Sequence, residues 1–221
     1  MNNSSKILAA FDIDGTLYDC TDAIITAFSD AVNEYNLING TAYSPPESEL
    51  IIGSLGMPIY EFYPRIFSFA GPKDMPDLAR LSEDKLNIAV SEKKGAVYPY
   101  VREIVESLHS SGITIAAASN GSKEYVSRVL SAYELDSFFE PLISIGDEGI
   151  VNKNDILKGY LSDNNYNSVY MIGDRDSDRI AARANGAQFV YCNYGHSGDS
   201  EVSEFDYEIH SLSELSNIIK Q

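Results

Sequence analysis

The chain is poor in cysteine, histidine and basic residues, and each scarcity closes off a class of function. Cys20 and Cys192 are the only cysteines among 221 residues, too few and too far apart for a disulfide framework or a thiolate zinc site. Their sparsity predicts a reducing, cytoplasmic setting. The three histidines, His109, His196 and His210, are scattered, so neither a histidine zinc cluster nor a histidine-centred triad is expected. Lysine and arginine total 16 against 33 acidic residues, a net charge of -17. Such a surface repels polyanions, which excludes nucleic acid and anionic membranes as partners. Long apolar runs are also missing. No segment reaches the 18 or so residues of a membrane span, and polar Asn2 to Ser5 lack the basic start of a signal peptide.

What remains is ordinary globular material, 44% hydrophobic and 22% charged, long enough for one large domain or for a core with an insertion. Four short apolar runs read as buried parallel strands, because they lack polar alternation and are followed by helical periodicity. They are Ile7 to Phe11, Ile113 to Ala118, Val169 to Ile172 and Ala187 to Tyr191, with a fifth candidate at Leu142 to Ile145. Amphipathic segments lie between them, among them Val101, Ile104, Val105 and Leu108, and later Val126, Val129 and Leu130. This alternation predicts an α/β fold, a Rossmann-like doubly wound parallel sheet. Residues 18–95 break the pattern. Ile24, Phe28, Ala31, Val32 and Tyr35 have helical spacing, six of the eight prolines fall between Pro45 and Pro76, and no convincing strand occurs. The reading is an all-helical cap over 18–95, inserted into a catalytic core of 1–17 and 96–221.

Open α/β sheets bind ligands beyond the carboxyl ends of their strands. Here those ends are Asp12-Ile13-Asp14-Gly15-Thr16, Ser119-Asn120-Gly121 and Gly173-Asp174 through Asp178, with Lys153 opening the helix after the fifth candidate strand. Two carboxylates flanking one residue at a strand end point in different directions, so Asp12 and Asp14 can hold different roles. Crowding acids with a phosphate is costly: like charges 4 Å apart repel by about 4 kcal/mol at an effective dielectric of 20. A cation must sit among them. Oxygen donors from Asp12, Asp174 and a backbone carbonyl favour magnesium over zinc. An EF-hand calcium loop is set aside, since its glycine would fall two positions later and its glutamate at position twelve. Alone, Ser119 reads as a helix cap, Lys153 as a surface lysine and the Asp174 segment as a solvated loop.

At these residues the chain resembles the haloacid dehalogenase superfamily, in its phosphoglycolate phosphatase-like and β-phosphoglucomutase-like branch. Asp12 to Leu17 is similar to the first motif, Ser119 to the second, Lys153 to the third, and Gly173-Asp174 through Asp178 to the fourth. The resemblance implies a magnesium-dependent phosphatase acting on a small phosphorylated metabolite, as a monomer or small homo-oligomer. Asp12 would be the nucleophile and a metal ligand. Asp14 would be the acid/base residue, with its carbonyl on the metal. Ser119 and Lys153 would hold the phosphoryl group. Asp174 would bind the metal, and Asp178 would orient its waters or Lys153. Backbone near Gly15, Thr16, Asn120 and Gly121 would add phosphate contacts. Gly53, in a cap loop, and Arg65 would face the substrate. Two departures stand out. Asn154 follows Lys153 where proline is common, with Lys158 one turn on as a rival, and Tyr100 stands where many relatives have glycine. A phosphomutase of the same fold shares these motifs. A receiver-like phosphoacceptor module combines the same residue types, but its acceptor aspartate ends the third strand and it lacks a large insert after the first.

Overall fold

The computed structural model describes residues 6–162, 164–198 and 200–220. Strand β1 (Ile7–Phe11) leads into a two-residue strand β2 (Tyr18–Asp19). Helices α1 (Thr21–Asn39), α2 (Ser48–Ile52), α3 (Ile59–Ile66) and α4 (Met75–Ser91) follow. The chain then returns through β3 (Ala96–Val97), α5 (Val101–Ser110), β4 (Thr114–Ala117) and α6 (Lys123–Ala132). It continues with α7 (Lys153–Ser162), β5 (Ser168–Gly173), α8 (Asp176–Ala184), β6 (Gln188–Cys192), β7 (Tyr207–Ile209) and α9 (Leu215–Ile218). No helix among the described residues is long and apolar enough to cross a membrane.

The main sheet is parallel, in the order β4-β1-β5-β6-β7. β1 is buried along its whole length because side chains on both of its faces are covered. Ala9 and Phe11 join a core with α5, α6 and α1, while Leu8 and Ala10 pack with Ile156 and Leu157 of α7 and Ala182 of α8. The expected doubly wound architecture is therefore the one observed. The four apolar runs correspond to β1, β4, β5 and β6.

The fifth candidate strand is not one. Leu142 to Ile145 makes no ladder, only an isolated bridge between Ile145 and Asp147. Side chains capture its amides instead: Ile143 N donates to the Tyr160 hydroxyl at 3.0 Å, and Ser144 N donates to the Asp147 carboxylate at 3.0 Å. The sheet's fifth strand is β7, three residues whose sequence, Tyr-Glu-Ile, carries little apolar signal. Between β1 and α5 the two short strands, β2 and β3, pair antiparallel, with Tyr18 opposite Val97 and Asp19 opposite Ala96. The helices α1 to α4 thus leave and rejoin the chain at one point. Within them α1 buries Ile24, Ala27, Phe28, Ala31, Val32 and Tyr35, the stripe its periodicity predicts. Tyr100, at the start of α5, has φ +67°, the left-handed region that glycine enters without steric cost. Here the strain is carried by an exposed tyrosine.

Candidate active site

Parallel register aligns the strand ends. Phe11 lies opposite Ala117 of β4 and Ile172 of β5, so the residues that follow, Asp12, Ala118 and Gly173, emerge at one edge. Asp12 N donates to Ile172 O at 2.8 Å and Ala118 N to Phe11 O at 2.7 Å, carrying the ladder one step past each strand. Beyond it the chain turns sharply: Leu17 N and Tyr18 N both donate to Ile13 O at 2.9 Å. Gly15 makes this possible at φ +79°, and a Cβ there would lie 2.2 Å from Asp174 Oδ2. No side chain is tolerated at that position.

Asp12, Asp174 and Asp178 are at most 3% exposed, and each offers a carboxylate oxygen within 4.8 Å of the others. Lys153, 2% exposed, places Nζ 3.0 Å from Asp12 Oδ2 and 2.6 Å from Asp178 Oδ1. Burial opposes the lysine's charge, but Asp12 and Asp178 outweigh it and hold the ammonium protonated. Asp178 has a second task, since its Oδ2 accepts from Arg175 N at 2.9 Å and so caps α8. Burial pushes Asp174 well above the usual carboxylate range, and Asp12 and Asp178 push it further. Its Oδ2 accepts from His196 N at 2.6 Å, and Thr16 Oγ1 approaches its Oδ1 at 3.5 Å. One cation against three buried acids leaves the cluster underneutralised. An all-oxygen donor set of that charge fits a hard divalent cation.

Asp14 stands apart from that cluster and lines a cavity together with Asp12, Ser119, Asn120 and Gly121. Its Oδ1 accepts from the Tyr125 hydroxyl at 2.5 Å. Burial raises its carboxyl to about 7 and Asp12 adds to the rise, while the Tyr125 hydrogen bond works against it. Asp14 therefore keeps a proton far more readily than an ordinary carboxyl. Ser119 Oγ accepts from Gly121 N at 3.1 Å, which leaves its own O–H free to donate. Asn120 Nδ2 donates to Gly56 O at 2.6 Å and so ties the edge of the sheet to the loop after α2.

Sequence reasoning placed some residues better than others. Asp12, Asp14, Gly15, Thr16, Ser119, Asn120, Gly121, Lys153, Asp174 and Asp178 come together as described. Lys158 is exposed, whereas Lys153 is buried among the acids. Gly53 does not reach the cavity: it ends α2, its amide bonded to Glu49 O at 2.9 Å, and Leu55, Gly56 and Met57 line the cavity in its place. Arg65 is exposed and donates from Nε to Ser54 Oγ at 2.9 Å, away from the cavity. Tyr125 and His196 were missed. A signal for Tyr125 exists in its spacing, because it lies on the first turn of α6, just after the Ser119 loop. His196 contributes through its backbone amide, which no side-chain pattern reveals.

Fold and site together define a doubly wound α/β protein that gathers buried aspartates at its strand ends. Comparison with known proteins narrows that class. The family model for haloacid dehalogenase-like hydrolases matches residues 9–192, and the chain belongs to that family. It is 25% identical to a phosphoglycolate phosphatase of Vibrio vulnificus, over 96% of this chain and 95% of that protein. It is 24% identical to the pyrophosphatase PpaX of Halalkalibacterium halodurans, over 95% and 94%. The crystal structure of a predicted phosphoglycolate phosphatase from Haemophilus somnus superposes with a TM-score of 0.86 at 17% identity, covering 98% of this chain and 99% of that one.

Proposed function

We propose that the protein is a magnesium-dependent phosphatase that hydrolyses a small phosphate monoester through an aspartyl-phosphate on Asp12. The observation that carries this reading is the division of labour between two neighbouring aspartates. Asp12 is buried against Lys153 within the acid cluster, and Asp14 faces the cavity with a carboxyl that burial raises to about 7. Asp12 Oδ attacks phosphorus and the P–O bond to the alcohol breaks. Asp14 gives its proton to the departing alkoxide, and it then takes a proton from the water that cleaves the acyl phosphate, which regenerates Asp12. Ser119 donates to a phosphoryl oxygen, and Lys153 offsets charge on the transferring group while holding Asp12 in place. Asp12, Asp174 and the Asp14 carbonyl would hold magnesium, with Asp178 orienting Lys153. When bound, the ion supplies positive charge to the phosphoryl oxygens.

The same reading assigns residues 18–95 to a cap and the remainder to the catalytic core. It is supported by the β2–β3 pairing at the crossing point and by the cavity lying between α1, α3 and α4 on one side and the strand ends on the other. The free, buried cysteines Cys20 and Cys192 suit a cytoplasmic protein. The test is phosphate release in magnesium from a panel of aryl, alkyl and sugar monophosphates. Turnover of at least one ester is expected, and its absence across the panel would overturn the assignment. Phosphate passed to a second sugar hydroxyl in place of water would mark a mutase.

Tyr125 acts through Asp14 as a positioning residue. Its ring packs under Gly121, where a Cβ would lie 2.9 Å from Tyr125 Cδ1, so Tyr125→Phe preserves packing and removes only the hydroxyl. A lost hydrogen bond to an ionisable group is worth roughly 1.5 kcal/mol. A fall in kcat of about tenfold is therefore expected, with KM little changed and Tm lowered by only a few degrees. A rise in KM at constant kcat would show that the hydroxyl binds substrate instead.

A further inference from the structure

The cavity beside Asp12 and Asp14 has two unlike ends. At the strand edge it is polar, with Ser119, Asn120 and Ser122. The opposite wall is built by the helices of residues 18–95 and is mostly apolar: Ile24 and Phe28 one turn apart on α1, Leu55 in the loop, Ile59 and Phe62 on α3 and Leu86 on α4, with the Tyr63 ring bringing that wall's hydroxyl. Phe28 is fixed in an aromatic cluster. It stacks on Phe67 with centroids 5.7 Å apart and meets Phe62 edge-to-face at 5.8 Å. This wall is a packed surface and does not depend on a single mobile side chain.

Charge on that wall has one sign. Among the described residues lining the cavity none is lysine or arginine, and apart from the two aspartates the one charged residue is Glu83. The cations nearby are committed elsewhere. Lys153 serves Asp12 and Asp178, Arg175 bonds Glu201 at 2.8 Å and His196 O at 3.2 Å, and Arg65 bonds Ser54. A carboxylate or second phosphate on the leaving group would lose its water against apolar side chains, find no cation and face Glu83. A sugar would bring hydroxyls to a wall with few partners for them.

We infer that this cavity selects phosphate monoesters of uncharged, apolar alcohols, aromatic ones above all, and rejects leaving groups that carry a second anionic group. The selectivity rests on the phosphatase reading for its turnover, but its recognition step can be measured without turnover. Apolar fit contributes through the area each added methylene or ring removes from water. Rejection of anions comes from Glu83 and the missing cation.

The experiment compares kcat/KM for ethyl, butyl and benzyl phosphate with that for phosphoglycolate, alcohols that need similar help to depart. Benzyl phosphate is expected to exceed ethyl phosphate by at least about tenfold, and phosphoglycolate to fall at least about tenfold below ethyl phosphate. Glu83→Gln should narrow the gap between ethyl phosphate and phosphoglycolate several-fold, roughly the loss of one like-charge repulsion. Leu86→Ala should shrink the benzyl-to-ethyl ratio. Phosphoglycolate matching or beating ethyl phosphate would overturn the inference while leaving the phosphatase intact. In parallel, calorimetry with non-hydrolysable phosphonates reads recognition alone. Phenethylphosphonate is expected to bind most tightly, then propylphosphonate, with phosphonopropionate weakest. That order without hydrolysis of any ester would sustain the inference and remove the phosphatase assignment. Phosphonopropionate binding most tightly would defeat the inference whatever the kinetics.

Discussion

Asp12→Asn should abolish phosphate release from every ester while the protein stays folded. The amide has the shape of the carboxylate and fits the same buried position, but it lacks the charged oxygen that attacks phosphorus. Fold should survive because Lys153 keeps its 2.6 Å partner Asp178, and because removing one of three crowded acids relieves repulsion on Asp174. The measurement is steady-state phosphate release beside thermal unfolding. Asp12→Asn with wild-type turnover would remove Asp12 as nucleophile. Loss of activity together with loss of the unfolding transition would reduce Asp12 to a structural partner of Lys153.

Asp14→Asn is expected to lower kcat by about 10²- to 10⁴-fold, the range for a lost general acid. The loss should depend on the alcohol. An alkyl leaving group needs the proton and suffers the full effect, whereas p-nitrophenolate departs without help and should suffer much less in the first step. Asparagine still offers an oxygen to the Tyr125 hydroxyl, so the local hydrogen bond is kept and the comparison isolates the proton. The carboxyl suits this task because burial and the neighbouring Asp12 raise it to about 7, which lets it carry a proton that ordinary carboxyls have lost. Equal losses for alkyl and aryl esters in kcat/KM, which reports the first step alone, would sink the role of proton donor.

Much of the fold was legible because burial on both faces writes β1, β4, β5 and β6 as continuous apolar runs. The candidate site was legible because a doubly wound sheet presents its strand ends at one edge, where Asp12, Ser119 and Asp174 stand. What escaped has local causes. Leu142 to Ile145 is apolar like a strand, yet Tyr160 and Asp147, distant or out of pattern, take its amides. β7 is too short and too exposed to carry periodicity, and two-residue strands such as β2 and β3 carry none. Gly53 was expected at the substrate from the resemblance of its segment to a cap loop and Arg65 from its charge, whereas helix geometry turns both away. Tyr125 was lost among 15 tyrosines that read as packing residues. Its hydroxyl matters only because α6 starts beside the first strand's turn, a relation that exists in three dimensions alone.

The short β2–β3 ribbon also bears on how the chain reaches its native state. β1 must find β4, with Leu8 opposite Thr114, although the helices α1 to α4 lie between them in sequence. The entropy of closing so long a loop grows only logarithmically with its length. It shrinks further once α1 and α4, which pack side by side, have brought the two ends of the insert together. Early docking of that helical pair would leave β1 and β4 separated by an ordinary crossover through α5. A parallel sheet, usually slow to assemble because its contacts are distant, would then nucleate as if its strands were neighbours.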